Sequence, residues 1–448
     1  MTTNLETAAA RLAGPDRETP GRPIPHVVAW NLTRRCNLAC AHCYISAGSW
    51  HAADGELATA DCLRIVDEIL AVNPSPMLIL SGGEPLLRDD LEAIAERAAA
   101  GGATVVVGTN GTRLTDARIG SLMAAGVRGV AVSIDSLDPV YHDRFRHGTG
   151  ALSETTDAVE RLRARGLDFI VQTTVTKGNR DEIPRIAEWS AERGAVAFNV
   201  YFLVATGRGE GMKGLSAPEN EAVLEELVAL ERRFRGRMLV RSKCMPAIMR
   251  LVRAAESDSP LLAYATRCPC GVQYCRITPE GKVTPCPYTP VVAGDLTEAS
   301  FGEVWERSPV FAGIRGGGLG GRCGRCGYRE VCGGCRARAY AETGDLLAED
   351  PGCGYEPDGV EDALPRAAAV TYGEDAPCRL AWSPEAEARM ARAPSFVRGV
   401  VAARVEKFAA ERGYDRVTPE VLDEVRSAMP VDFSKAKPFF LREDPPMG

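Results

Sequence analysis

A regular alternation of short apolar segments with amphipathic helical stretches runs from residue 26 to about residue 204, and few folds accommodate it. Such alternation is typical of βαβ units around a parallel sheet. The predicted strands cover residues 27–32, 77–81, 103–109, 129–134, 169–175 and 195–203. Six strands are too few for a closed eight-stranded barrel. We therefore predict an α/β fold with a partial (β/α)6 barrel, whose functional residues follow the carboxyl ends of the strands.

The rest of the chain divides into smaller units. Acidic residues and leucines at helical spacing predict a helix over residues 216–235, and cysteines and glycines then dominate residues 244–353. A stretch rich in Pro, Ala and acidic residues is typical of a linker, and helical periodicity returns after it. The predicted units are an N-terminal extension (1–25), the barrel (26–215), a bridging helix with a cysteine-rich domain (216–356), a linker (357–383) and a helical C-terminal module (384–448).

Composition excludes several classes of protein. The 448 residues are 45% hydrophobic and 25% charged, and no apolar run is long enough to span a membrane. The net charge of -7 gives no general electrostatic reason to bind nucleic acid. The first 25 residues include acidic side chains and lack the apolar segment of a secretory signal, so we expect a cytoplasmic protein.

The chain contains 15 cysteines, and they cluster as metal ligands do rather than spreading as a disulfide framework. Three of them, Cys36, Cys40 and Cys43, follow the first predicted strand with C-x3-C-x2-C spacing. Thiolates at this spacing can bind three irons of one [4Fe-4S] cluster, and the missing fourth cysteine leaves one iron open to a ligand. A zinc site or ordinary buried thiols are the alternatives.

Polar motifs follow the next three predicted strands. They are Gly82-Gly83-Glu84-Pro85, Thr109-Asn110-Gly111-Thr112 and Ser133-Ile134-Asp135-Ser136. Together with the cysteine triad and Tyr44, the first of them resembles the GGEP motif of the radical S-adenosylmethionine (SAM) superfamily. The resemblance implies that Gly82 and Gly83 let the backbone approach SAM, and that Glu84 accepts a hydrogen bond from the SAM amino group. It also implies that Asn110 and Ser133 line the adenosine and ribose, although both motifs also suit ordinary strand-end turns.

A second set of cysteines lies downstream. It consists of Cys268, Cys270, Cys275, Cys286, Cys323, Cys326, Cys332, Cys335 and Cys353. The spacing resembles the SPASM extension, which implies two auxiliary [4Fe-4S] clusters. By position, the outer cluster takes Cys323, Cys326, Cys332 and Cys353. The inner cluster takes Cys275, Cys286, Cys335 and either Cys268 or Cys270, of which we favour Cys268.

One spacing departs from the usual SPASM pattern, since two residues rather than three separate Cys332 from Cys335. A zinc ribbon over residues 323–335 is the alternative for this run. Cys62, Cys244 and Cys378 fall outside both sets and are expected to be buried or idle thiols. No histidine has metal-ligand spacing, and His42, within the cysteine loop, is expected to serve packing.

The resemblance narrows further over residues 26–36, 198–209 and 274–288, which are similar to radical SAM enzymes that modify haem precursors. These include the iron-coproporphyrin decarboxylase, the didecarboxysirohaem deacetylase and the enzyme of the nitrite-reductase haem. Residues 394–429 resemble a small module of protochlorophyllide reductase. The resemblance implies a tetrapyrrole substrate, a 5'-deoxyadenosyl radical, and a low-potential donor such as ferredoxin or flavodoxin. Arg208, Arg241 and Arg250 are candidates to bind propionates.

Two other functions are open. Many SPASM proteins mature peptides or proteins, often with an N-terminal winged-helix unit, whereas 35 residues precede Cys36 here. A non-catalytic iron-sulfur scaffold or electron carrier would leave Glu84 and the open iron without a purpose. The sequence therefore favours oxidative decarboxylation or side-chain removal on a haem-type tetrapyrrole, with peptide maturation as the alternative.

Overall fold

A computed structural model describes residues 23–256, 259, 261–262, 267–364, 379–391, 393 and 395–428. Its main feature is a sheet to which the described residues contribute ten strands. They are β1 (Val27–Asn31), β2 (Met77–Ser81), β3 (Thr104–Thr109), β4 (Val127–Ser133), β5 (Asp168–Val175), β6 (Ala197–Phe202), β7 (Leu239–Lys243), β8 (Tyr274–Ile277), β9 (Lys282–Thr284) and β10 (Gly294–Asp295).

The strands are ordered β10-β9-β8-β1-β2-β3-β4-β5-β6-β7, and all neighbours from β8 to β7 are parallel. Strand β9 pairs antiparallel with both of its neighbours, β8 and β10. The six predicted strands are present as β1 to β6, which confirms the α/β fold with its central parallel sheet. The sheet continues beyond them at both edges, with β7 beside β6 and β8 beside β1.

Seven helices accompany the first seven strands. They are α1 (Thr59–Val72), α2 (Leu91–Ala100), α3 (Asp116–Ala124), α4 (Pro139–Arg146), α5 (Ala151–Arg165), α6 (Ile183–Glu192) and α7 (Ala217–Phe234). Helix α7 is the predicted bridging helix. It begins with a capping box in which Ser216 and Glu219 satisfy each other's backbone N–H groups.

The two faces of the sheet differ in polarity because strand side chains alternate. Residues such as Trp30, Leu80, Val107, Phe198 and Val240 are buried in one apolar core with the helices. Their neighbours in sequence face the other way, and near the carboxyl ends of the strands many of these are polar. We call this second surface the inner face. It includes Asn31, Ser81, Ser133, Gln172, Asn199, Tyr201, Arg241, Lys243, Tyr274 and Arg276.

The cysteine-rich domain contributes β8 to β10 to the main sheet, together with short helices. These helices are α8 (Ile248–Ala255), α9 (Phe301–Arg307), α10 (Pro309–Gly316), α11 (Gly321–Arg325) and α12 (Arg336–Thr343). Ser300 caps α9 through a second capping box with Glu303. The glycine-rich connections between these helices hold most of the remaining cysteines.

The C-terminal module has its own small core. It contains β11 (Ala381–Trp382), α13 (Pro384–Ala391), α14 (Ser395–Glu411), β12 (Arg416–Val417) and α15 (Pro419–Ala428), and the two strands pair parallel. Gly413 has a φ of 74° just after α14, the left-handed conformation that commonly ends a helix. The module meets the barrel where the Ser395 hydroxyl lies 2.9 Å from Nδ1 of His26 and 3.1 Å from Nδ2 of Asn73. No helix among the described residues is long and apolar enough to cross a membrane.

Candidate active site and cysteine groups

The predicted cysteine triad lies in the loop that follows β1. Cys36 is buried, whereas Cys40 and Cys43 are half-buried. The backbone N–H of Leu38 donates to Sγ of Cys36 at 3.4 Å, and that of Ala47 donates to Sγ of Cys43 at 3.3 Å. Such donors favour the thiolate form that a metal requires.

The electrostatics of the triad fit a bound metal cluster. Burial, opposed by the Leu38 N–H and aided by the proximity of Glu84, Cys40 and Cys43, raises the pKa of Cys36 to about 12. Burial likewise raises the pKa of Cys40. A metal ion deprotonates its thiol ligands outright, so bound iron would supply the charge that these buried thiolates need.

A segment after β6 holds the cysteine loop in place. The Arg208 guanidinium donates from Nε to the carbonyl of Cys40 and from Nη1 to that of Ala47, both at 2.8 Å. Gly207 has a φ of 58°, and a Cβ there would lie 2.5 Å from the carbonyl oxygen of Tyr44. Arg208, a candidate for substrate propionates, thus uses two of its nitrogens to bind loop carbonyls, and its Nη2 is buried without a hydrogen-bond partner in the described residues.

The glycine motif after β2 packs against the chain that enters the cysteine loop. The Gly83 N–H donates to the Thr33 carbonyl at 2.7 Å, and the Glu84 N–H donates to the Arg35 carbonyl at 2.9 Å. A Cβ on Gly83 would lie 2.3 Å from the Arg35 oxygen, and one on Gly82 would lie 2.7 Å from the Thr33 oxygen. These contacts explain the glycines through backbone packing, whereas the sequence suggested close approach to SAM.

Glu84 is fully buried. Its carboxylate accepts hydrogen bonds from the Thr109 hydroxyl at 2.8 Å, the Asn110 N–H at 2.9 Å and the Leu86 N–H at 3.1 Å. Burial raises the pKa of Glu84 to about 6, although these three donors oppose the shift. The carboxylate is thus held rigidly at the edge where β2 and β3 end, close enough to Cys36 to influence its pKa.

Asn110 and Ser133 end neighbouring strands. The Asn110 side chain donates to Oδ1 of Asn37 at 2.9 Å and lies 3.9 Å from Sγ of Cys36. Ser133 is half-buried at the end of β4, and its partner in register on β5 is Gln172. The structure therefore brings Asn110 to the cysteine loop and leaves Ser133 on the inner face beside it.

A buried ion pair between Arg146 and Asp135 lies beside the cysteine loop. Nη2 of Arg146 lies 2.6 Å from Oδ2 of Asp135, and its Nη1 lies 3.8 Å from Sγ of Cys40. Burial acts to raise the pKa of Asp135, but Arg146, together with His42, His142 and the Thr174 N–H, holds that pKa below its usual value. Sequence reasoning missed Arg146, since nothing in its local pattern separates it from a solvated arginine at the end of α4.

The four cysteines of the predicted outer cluster lie together. Cys332 and Cys353 are each close enough to Cys323 for their charges to interact, and so is Cys326. Backbone N–H groups donate to three of the sulfurs, from Asp350 to Cys323, from Tyr328 to Cys326 and from Gly334 to Cys332, at 3.3 to 3.4 Å. The four predicted sulfur ligands are thus half-buried, and backbone N–H groups donate to three of them.

The inner cysteine group differs from the prediction. It consists of Cys244, Cys268, Cys270, Cys286 and Cys335. Thiol contacts join Cys268 to Cys270, Cys270 to Cys286 and Cys244 to Cys335. Cys244 was expected to lie outside both sets, and this expectation is corrected. Its backbone is in the left-handed region, with a φ of 59°, directly after β7.

Cys275 is absent from the inner cysteine group, which corrects its predicted role as an inner ligand. It lies on β8, where Tyr274 and Arg276 face inwards. Because strand side chains alternate, the Cys275 thiol points to the opposite face and is fully buried in the core between sheet and helices. Its partner in register on β1 is the core residue Val28.

The other described candidates from the sequence lie outside the cysteine groups. Cys62 is buried in the core as expected, Cys378 lies outside the described residues, and the His42 ring stacks on Phe145 at 4.6 Å. Arg250 pairs with Glu221, so this candidate also has another role. Among the described residues, no three His, Cys, Asp or Glu side chains converge closely enough to bind a single metal ion.

A parallel sheet with a three-cysteine loop after its first strand, followed by a domain with two cysteine groups, defines an iron-sulfur enzyme that uses SAM. Family models agree. The radical SAM superfamily matches residues 30–190, the SPASM iron-sulfur cluster-binding domain matches residues 268–336, and the proto-chlorophyllide reductase 57 kD subunit matches residues 382–426. The chain therefore belongs to the radical SAM enzymes that carry a SPASM domain, as predicted.

Three curated relatives each align with about three quarters of this chain. The AdoMet-dependent heme synthase of Methanosarcina barkeri is 40% identical over 343 residues, which are 74% of this chain and 97% of that protein. The pre-heme d1 synthase of Dinoroseobacter shibae is 33% identical, over 76% and 88% of the two chains. The mycofactocin maturase MftC of Mycobacterium ulcerans is 30% identical, over 78% and 92%.

Solved structures show the same fold. Streptococcus suis SuiB bound to S-adenosylmethionine superposes with a TM-score of 0.61 at 17% identity, covering 74% of this chain and 78% of that one. The enzyme anSMEcpe with bound AdoMet gives 0.59 at 18% identity, covering 74% and 94%. At these identities the likeness supports the architecture alone.

Proposed function

We propose that this enzyme acts on a haem-type tetrapyrrole and removes or oxidises a side chain that carries a carboxylate. The observation that carries the proposal is the 40% identity to an AdoMet-dependent heme synthase across 97% of that protein. The alternative, peptide maturation, is supported by the lower 30% identity to the mycofactocin maturases. A low-potential donor such as ferredoxin or flavodoxin is the proposed source of electrons, in the cytoplasm.

The proposed SAM site combines the cysteine triad with Glu84. Cys36, Cys40 and Cys43 would hold a [4Fe-4S] cluster with one open iron, and Glu84 would accept a hydrogen bond from the SAM ammonium group. When bound, the cluster and SAM supply a 5'-deoxyadenosyl radical that takes a hydrogen atom from the substrate. The protein positions the reactants and excludes water. Asn110 fixes the cysteine loop through Asn37.

The proposed auxiliary sites follow the two cysteine groups. Cys323, Cys326, Cys332 and Cys353 would hold the outer cluster. The inner cluster would take its ligands from the inner cysteine group, which offers five thiols for four positions. Electrons released by substrate oxidation would have an acceptor there, because the inner cysteine group directly follows the inner face at Lys243 and Cys244.

The cysteine groups predict different effects of two alanine variants on iron content. Three cubic clusters correspond to about twelve irons per chain. We expect Cys275→Ala to retain all of them, since its thiol points into the apolar core. The double variant Cys286→Ala/Cys335→Ala should lose about four, because it breaks both the contact of Cys286 with Cys270 and that of Cys335 with Cys244. Iron and sulfide analysis after anaerobic reconstitution measures both, with Cys62→Ala as the buried control. Loss of four irons from Cys275→Ala would show that Cys275 is a ligand of the inner cluster, as the sequence predicted.

Turnover tests the proposed function directly. The reduced, reconstituted protein is incubated with SAM and a panel of iron-coproporphyrin III, sirohaem derivatives and protoporphyrin, and the products are analysed by mass spectrometry. We expect one tetrapyrrole to lose a carboxylate-bearing group, with stoichiometric 5'-deoxyadenosine. If no tetrapyrrole gives a saturable spectral change, while a peptide encoded beside the gene stimulates 5'-deoxyadenosine formation, the enzyme is a maturase.

A further inference from the structure

Four tyrosines and a lysine lie between the cysteine loop and the inner cysteine group. We call them the inner-face cluster, and its members are Tyr44, Tyr201, Lys243, Tyr274 and Tyr288. The ring of Tyr288 lies 5.2 Å from that of Tyr44 and 6.5 Å from that of Tyr201. Tyr44 directly follows Cys43, and Lys243 directly precedes Cys244. The inner-face cluster therefore extends from one proposed iron-sulfur site to the next.

The side chains of the inner-face cluster are all half-buried, so they are neither packed in a dry core nor fully open to solvent. Aromatic rings with a few polar groups among them are the usual lining of a small-molecule site.

Lys243 brings a positive charge into the inner-face cluster. Within the described residues its ammonium group has no hydrogen bond and no ion pair, and the charged groups that act on it are Arg241 and Cys244. Of these two, Arg241 lies on the same face and is itself a cation. A half-buried lysine without a carboxylate partner is suited to bind an anion.

Neighbouring strands place further polar groups beside Lys243. Its partner in register on β6 is Tyr201, and Arg241 lies opposite Asn199 one step away on the same face. The Tyr201 hydroxyl accepts from Nε2 of Gln172 at 3.4 Å, which leaves its own proton free to donate. On strand β8, Nε of Arg276 is buried without a hydrogen-bond partner in the described residues. Ammonium, phenol and guanidinium groups are all donors to carboxylates.

We propose that Lys243 and Tyr201 bind a carboxylate group of the substrate and so fix the macrocycle in the space between the SAM site and the inner cysteine group. This inference rests on the proposed function, because it assigns the contacts of a substrate with acidic side chains. The aromatic rings of the inner-face cluster would pack against the apolar part of the ring system. Arg241, a candidate from the sequence, adds positive charge to the same place, whereas Arg208 and Arg250 do not.

A comparison of an acidic ligand with its ester tests the assignment. Binding of iron-coproporphyrin III and of its tetramethyl ester is followed by absorbance titration with wild type, Lys243→Met and Tyr201→Phe. We expect Lys243→Met to weaken binding of the free acid by about 10- to 100-fold, the usual effect of a hydrogen bond to a charged group, and to leave ester binding unchanged. Tyr201→Phe should act on the same ligand with a smaller loss.

The controls separate the possible failures. Lys407→Met removes a lysine that is 78% exposed on the C-terminal module and should bind both ligands as wild type does. Iron content and SAM cleavage without substrate should be unchanged in Lys407→Met, and Lys243→Gln repeats the binding test if Lys243→Met does not fold. Failure of wild type to bind either ligand overturns the proposed function. Equal binding of the free acid by wild type and Lys243→Met, or an equal loss of acid and ester, overturns the inference about Lys243 alone.

Discussion

Replacing Cys36, Cys40 or Cys43 by alanine is expected to abolish the conversion of SAM to methionine and 5'-deoxyadenosine. With three thiolates, the proposed cluster keeps one iron open for SAM, and with two it loses a second protein ligand. The described residues near Cys36 offer no substitute thiol, because the closest other groups are Glu84 and Asn110. Chromatography of 5'-deoxyadenosine from dithionite-reduced protein measures the loss.

The iron content of the triad variants shows whether only the SAM-site cluster is lost. Each triad variant should retain about eight of about twelve irons, because the outer and inner cysteine groups lie on other elements. Cys62→Ala, which removes a buried thiol outside all three sites, should retain full iron and full cleavage. If a variant that lacks all three triad cysteines cleaves SAM at the native rate, the assignment of the SAM site is wrong.

Local sequence patterns were sufficient for the centre of the fold. Strands β1 to β6 carry apolar residues such as Leu80 and Val107 and alternate with periodic helices, so each could be recognised within its own segment. Strand β7 could not, since Arg241, Ser242 and Lys243 make it polar where it faces the interior. Strand β8 is short and lies among cysteines, and only its pairing with β1 makes it part of the sheet.

The candidate site also has a part that the sequence predicts and a part that depends on tertiary structure. The triad and Glu84 lie in compact motifs whose spacing already indicates their chemistry. The inner cysteine group depends on tertiary structure, because Cys244 at the end of β7 meets Cys335 only after the chain has folded. The side to which Cys275 points depends on its strand register. A spacing pattern contains no information about either, so nothing in the spacing of the cysteines favours Cys244 over Cys275.

The ion pair between Asp135 and Arg146 gives the largest expected effect on stability. Arg146→Met would leave the Asp135 carboxylate buried without its 2.6 Å partner. Removing one member of a buried ion pair usually costs about 3–5 kcal/mol, so we expect the free energy of unfolding to fall by about that amount. Urea unfolding of the anaerobically reconstituted protein, followed by tryptophan fluorescence, measures the change.

A double variant separates the cost of an unpaired charge from the loss of packing. Asp135→Asn/Arg146→Met removes both charges and should recover much of the stability that Arg146→Met loses, since a buried pair is often replaceable as a whole. Arg163→Met is the matched control, because its contact with Glu160 at 3.5 Å is exposed and should be worth less than about 1 kcal/mol. Arg146 also lies 3.8 Å from Sγ of Cys40, so the double variant should still bind the SAM-site cluster less tightly than wild type does. Equal stability of Arg146→Met and Arg163→Met would show that Asp135 does not depend on Arg146 in the folded protein.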